Sequence, residues 1–205
     1  MKPDLWIARL PDEAHAAGEF PPCDEQEPLE LLDLRITGAT SVTDQLFQRP
    51  ELVNVVLDRC DIAGFTGREG RAERVLVTDS RLRGVTWVNG VLQDVILDGL
   101  TGEEVSLRFS TLRRVTLRDC RLPGLDLTEV TLDDVRLERC TLPGAQFNGT
   151  RVKSLRIEGC DLSGATGVAA LAGASIHPDD LLALAPSLAE AVGMSVTADG
   201  VSVRD

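Results

Sequence analysis

The sequence predicts an all-β fold, a parallel β-helix of square section with about seven coils, closed by a short C-terminal helical cap. Three observations carry it. Cys60, Ser80, Cys120, Cys140 and Cys160 recur at multiples of twenty residues, two places before Ile62, Leu82, Leu122, Leu142 and Leu162. Gly64, Gly84, Gly124, Gly144 and Gly164 follow in the same register. Stepping by five from Leu52 to Leu162 passes 23 positions, and 20 are large and apolar, the exceptions being Gly67, Ala72 and Gly102. At 43% hydrophobic content only about ten would fall there by chance.

A period of five fits neither the 3.6 of a helix nor the 2 of a flat strand. It fits a square. If each pentad forms one side, the Leu position and the small or β-branched position two before it both face the axis, and the other three face water. Four sides make a coil of twenty residues, and coils stack as parallel strands about 4.8 Å apart, so seven make a rod about 33 Å long. Each coil buries its core only against its neighbours.

Taken in chain order, residues 1–28 form an extension. Leu5, Trp6, Ile7 and Leu10 are expected to supply a strand or plug over the first coil, and PPCDEQEP an exposed tether. The coils occupy residues 29–167. Before Leu52 the phase differs by one: Leu31, Ile36 and Leu46 are five-spaced from another origin, with Ser41 in the fourth slot, which places a bulge near Phe47 to Pro50. Residues 65–74 and 99–104 lack the large side chain and are expected to stay in register as looser corners. One side of the square reads Val55/Leu57, Val75/Val77, Val95/Leu97, Val115/Leu117, Val135/Leu137 and Leu155/Ile157, wholly aliphatic. Another carries Trp87 and Phe147 at the axis, with Leu107 and Leu127 between. The core ladder is therefore expected to include Cys60, Cys120, Cys140, Cys160, Leu122, Leu142, Leu162, Leu117 and Leu137.

Units such as Cys60-Asp61-Ile62-Ala63-Gly64, Cys120-Arg121-Leu122-Pro123-Gly124 and Cys160-Asp161-Leu162-Ser163-Gly164 resemble the repeat of the pentapeptide-repeat family, Ala/Cys/Val-Asp/Asn-Leu-x-x. The resemblance spans roughly residues 29–167, although few units keep the Asp or Asn before the Leu. It implies a right-handed quadrilateral β-helix. Through the family's quinolone-resistance and gyrase-inhibiting members, it also implies a DNA-like rod that binds type II topoisomerases and dimerises through C-terminal helices.

Residues 168–193 turn helical. His177-Pro178-Asp179-Asp180 reads as a helix start with acids in its first turn, and Leu181, Leu182, Leu184, Leu188 and Val192 as an apolar face that caps the solenoid or forms a dimer surface. Pro186 is expected to begin a second short helix and Gly193 to end it. Residues 194–205 form a tail in which Asp199-Gly200 marks a possible hairpin.

Composition bounds the function. The 205 residues suit one domain with no linker, no apolar run reaches membrane length, and the N-terminus lacks a signal-peptide apolar region, so a cytoplasmic protein is expected. Arg outnumbers Lys 19 to 2, a hint of a GC-rich bacterial genome. Stacked thiols point one way at successive levels rather than converging in a tetrahedron, so metal or cofactor is not expected; Cys23, outside the stack, is the expected labelling site. With two histidines, His15 and His177, no tyrosine and no phosphate loop or nucleophile elbow, the chain is expected to be no enzyme. The net charge of −12 favours mimicry of DNA, yet residues 51–167 hold 18 acids against 16 bases. With no basic stripe bearing aromatics, direct nucleic-acid binding is not expected. A rigid protein-binding module of unassigned partner is the leading reading, and a topoisomerase binder the alternative.

Overall fold

Eight-residue strands recur once per coil: Glu30–Thr37, Glu51–Asp58, Arg71–Thr78, Val91–Asp98, Thr111–Arg118 and Thr131–Glu138. Each covers two sides of the square. The bend between them falls on a residue in the left-handed region, at Asp33, Asn54, Arg74, Asp94, Arg114 and Asp134, with φ from 51° to 59°. In this computed structural model the chain is a parallel β-solenoid of about seven turns with one short C-terminal helix. The structure describes residues 16–17, 29–38 and 45–194. The expectations for Leu5, Trp6, Ile7, Leu10, Cys23, PPCDEQEP, Ser41 and the Asp199-Gly200 hairpin lie outside the described residues.

The long strands pair in parallel, each residue with the one twenty places on, for example Val95 with Val75 and Val115. Strand Ala16–Ala17 extends this sheet at one end and Ser175–Ile176 at the other. The Cys side is a three-stranded sheet of Asp61–Ala63, Arg81–Arg83 and Thr101–Glu103, continued by single bridges at Arg121, Thr141 and Asp161. The aromatic side is built from Gln45–Gln48, Phe65–Arg68 and Thr86–Val88, continued at Ser106, Asp126, Gln146 and Thr166. As the register requires, Leu112, Leu117, Leu122, Leu127, Leu132, Leu137, Leu142 and Phe147 are all buried on the axis.

Three expectations are corrected. The extra residue of the first coil does not lie near Phe47 to Pro50. Leu31 pairs with Leu52 at a separation of 21, but Gln45 already pairs with Phe65 at 20, so the insertion falls between Thr37 and Gln45. Phe47 is consequently the inward residue, stacked on Phe65 at 5.0 Å between ring centroids, while Leu46 is 51% exposed. The aromatic contact favours this register because it buries the larger side chain.

Nor are residues 65–74 and 99–104 loose. Phe65–Arg68, Arg71–Thr78 and Thr101–Glu103 are regular strands in register. In two of these pentads the large and small positions have exchanged: Phe65 and Leu100 are buried in the slots that mostly hold Cys, Ser, Val or another small residue, and Gly67 and Gly102 take the Leu slots. A Cβ on Gly67 would sit 2.9 Å from Cε3 of Trp87, and one on Gly70 2.7 Å from its Cζ2, so the indole of the next coil fills the space these glycines leave.

The C-terminal segment holds one α-helix, Leu181–Ala191, after two single 3₁₀ turns, Val168–Leu171 and Pro178–Asp180. Pro186 lies inside that helix rather than starting a second one. Its missing N–H forfeits one internal bond without ending an element anchored at both ends. His177 Nδ1 accepts from the Asp179 N–H at 3.4 Å at the start. At the far end Gly193, with φ 78°, donates to the Glu190 carbonyl at 2.9 Å and Met194 to that of Ala189 at 2.8 Å, a left-handed stop at the expected residue.

Candidate interaction surfaces

The sequence-predicted ladder is an interior. Cys60, Cys120, Cys140 and Cys160 are 1–4% exposed, and Leu117, Leu122, Leu137, Leu142 and Leu162 at most 1%. What the small slot does is visible in its hydrogen bonds. Cys140 Sγ donates toward the carbonyls of Leu117 at 3.4 Å and Glu138 at 3.3 Å, and Cys120 Sγ toward those of Leu97 and Arg118. Ser110 and Thr150 hydroxyls fill the same slot and reach the Trp87 and Leu127 carbonyls. A small donor satisfies corner carbonyls there, and sulfur is one way of supplying it. The chain of thiols moves Cys120 down through its hydrogen bond with Cys140. Cys140 is pushed up to about 12 by that same bond with Cys120, and Cys160 is pushed up by its bond with Cys140 and by burial. Cys140 and Cys160 therefore stay protonated at neutral pH and offer no thiolate nucleophile.

The outer faces carry inter-coil ion pairs. Arg114 makes a bidentate bond to Asp94 at 2.6 and 2.7 Å, Arg139 to Asp119 at 2.8 and 2.7 Å, and Arg118 reaches Asp98 at 2.7 Å. Asp133 lies between Arg113 at 3.7 Å and Lys153 at 3.2 Å, while Glu73 is held by Arg71 and Arg74. Most of these pairs join opposite charges on successive coils, whereas Glu73 is held by arginines of its own strand. Hydrogen bonds from Arg71, Arg114 and Arg139 hold Glu73, Asp94 and Asp119 below the usual carboxylate range. A carboxyl whose pKa is lower folded than unfolded contributes stability above its unfolded value and loses it as pH falls through the folded one. Thermal melts should therefore be level from neutrality to about pH 5 and fall below about pH 4. Asp94→Asn should flatten part of that acid limb while costing under ~1 kcal/mol at pH 7.

The predicted helix face is divided. Leu184 alone is buried, at 2% exposure, on the side where Val168 and Leu171 are buried too. Leu182 is 82% exposed, Val192 69% and Met194 60%, with Leu181 and Leu188 near 40%. The expected single face does not hold, because the 100° step from Leu181 to Leu182 turns Leu182 away from Leu181, Leu188 and Val192. Met194, just past the Gly193 stop, is a further exposed apolar side chain at this end. No helix among the described residues is long and apolar enough to cross a membrane.

Comparison with known proteins adds the following. Residues 131–166 match the family model for pentapeptide repeats, in eight copies. No curated protein matches the chain. Among solved structures, HetL, a pentapeptide repeat protein involved in heterocyst differentiation regulation from the cyanobacterium Nostoc sp. strain PCC 7120, is 16% identical over 71% of this chain and 76% of its own, with a TM-score of 0.27. Full-length QnrB1, a plasmid-mediated fluoroquinolone resistance protein, is 15% identical over 73% of this chain and 100% of its own, with a TM-score of 0.29.

Proposed function

We propose, from the premise that this chain is a pentapeptide-repeat protein, that it serves as a rigid, non-catalytic protein-binding module in the cytoplasm, joined to its partner through the exposed flank of the C-terminal helix. The exposure of Leu182, Val192 and Met194 carries this reading. Burying such side chains is worth about 1.5–3 kcal/mol each, which a lone chain leaves unused. A second copy is the simplest partner, since a two-fold axis sets the same flank against itself. Analytical ultracentrifugation should find a dimer, and Leu182→Glu/Val192→Glu a folded monomer with an unchanged circular dichroism spectrum. A monomeric wild type would remove the homodimer and leave the flank to a different protein.

A second reading, a DNA-mimicking binder of DNA gyrase or a related topoisomerase, draws support from the net charge of −12. Most of that charge lies outside residues 51–167, which places any mimicry at the ends of the chain rather than along the rod. Gyrase supercoiling titrated with the protein, with and without a fluoroquinolone, tests it. Inhibition or drug protection at micromolar protein supports the reading, and no effect at large excess removes it.

A further inference from the structure

We infer that one outer side of the rod is the seat of the chain's own N-terminal segment, residues 1–15, docked across Val56, Leu76 and Ile96. These three residues face away from the axis. Each stands between two inward neighbours, Val55 and Leu57, Val75 and Val77, Val95 and Leu97, and strand alternation turns it to the outside. The register stacks them in one row that runs Arg35, Val56, Leu76, Ile96, Thr116, Arg136. Water-facing positions favour polar side chains, yet three successive coils carry aliphatic ones here, bounded by Arg35 on one side and Thr116 on the other.

Their burial asks for a cover. Val56 is 1% exposed and Ile96 3%, with Leu76 half-buried, although neither Val56 nor Ile96 belongs to the axial core. Val91 points outward from the same strand as Ile96, on the adjoining side, and is 42% exposed. Strand neighbours alone thus leave an outward valine open. The tether selects the covering segment. Ala16–Ala17 pairs with Ile36–Thr37 on this same side, so residue 15 stands two strand steps, about 10 Å, from the level of Val56 and four, about 19 Å, from that of Ile96. Fifteen residues span up to about 50 Å, which covers the row with length to spare. They include Leu5, Trp6, Ile7 and Leu10, suited to an aliphatic row, and Asp4, Asp12 and Glu13, suited to Arg35 at its near end. Residues 195–205 follow the helix Leu181–Ala191, which packs on the 3₁₀ turns after the last coil, and offer only Val196, Val201 and Val203. A seat filled from within one chain closes this side of the rod to partners and is independent of the helix flank.

The test uses the full-length chain with ¹³C-labelled Ile, Leu and Val methyl groups. Nuclear Overhauser contacts should join the Trp6 ring to the methyls of Val56, Leu76 and Ile96, and a mixture of labelled and unlabelled chains should show that they arise within one chain. Trp6→Ala assigns them by their loss, since the other indole, Trp87, is buried on the axis. Trypsin supplies a second readout. Cleavage after Arg9 should be slow in the wild type, and Ile96→Arg, a change on the outer face, should speed it about tenfold or more with an unchanged circular dichroism spectrum, because cleavage follows the population of the released segment. Leu76→Arg serves if Ile96→Arg does not fold. Contacts to Val196, Val201 or Val203 in place of Trp6, contacts only between chains, or no contacts at all overturn the proposal, as does cleavage after Arg9 that is equally fast in the wild type and the folded variant.

Discussion

Cys140→Asp should lower the stability of the rod by roughly 3–5 kcal/mol at pH 7, a large share of the about 5–15 kcal/mol that holds a folded domain together. Cys140 is 1% exposed and its sulfur faces the carbonyl oxygens of Leu117 and Glu138. A carboxylate placed there has no proton to give, meets two acceptors, and leaves water for a wall of Leu side chains. Cys140→Ser is the informative control. Ser80 and Ser110 occupy the same slot, Ser80 accepting from the Cys60 N–H at 3.0 Å and donating to the Thr78 carbonyl at 2.6 Å, so serine should cost only about 1 kcal/mol. Asp133→Ala, on the outer face, should change stability by no more than about 0.5 kcal/mol. Urea denaturation followed by circular dichroism measures all three. Equal, small effects would mean that the Cys ladder is not axial.

Trp87→Ala should be comparably severe, about 3–5 kcal/mol, because the indole is the filler for more than its own coil. Its ring lies against Gly67 and Gly70 of the coil below and Gly90 of its own, where an added Cβ would fall 2.9, 2.7 and 2.1 Å from it. Removing the ring therefore opens a void across two coils. Gly67→Leu should also destabilise, by about 1–3 kcal/mol, since the new side chain meets the indole. Combined with Trp87→Leu it should cost clearly less than the sum of the single changes, the mark of two residues sharing one space. Simple additivity in a double-mutant cycle would contradict that packing.

These residues also show how far the sequence could be read. The five-residue step found the axis because burial imposes one apolar contact per side, and 20 hits in 23 leave little room for another period. Following only the Leu slot concealed the exchange at Phe65/Gly67 and Leu100/Gly102, which is visible once both inward positions are added together. The misplaced bulge had a different cause. Leu46 and Phe47 are both apolar, and pattern alone does not decide which faces in; the stack on Phe65 does. At the C-terminus the helix and its glycine stop were legible from capping chemistry. Its orientation on the solenoid was not, since that depends on Leu184 finding a place beside Val168 and Leu171. The paired charges were legible only as an inventory until the coil register set Arg114 over Asp94 and Arg139 over Asp119.

The corner at which the long strands bend has one more implication. From Arg74 onward it reads Arg74, Asp94, Arg114, Asp134, with Arg114 clasping Asp94 between successive levels. The backbone repeats every coil, whereas the charge repeats every second coil. Excision of residues 75–94 would keep every strand in register and yet set Arg114 directly above Arg74, like charge on like. Excision of residues 75–114 would bring Asp134 above Arg74 and restore the alternation. Along this edge the unit by which the rod can be shortened or lengthened without electrostatic conflict is a pair of coils, even though a single coil is the unit of the fold.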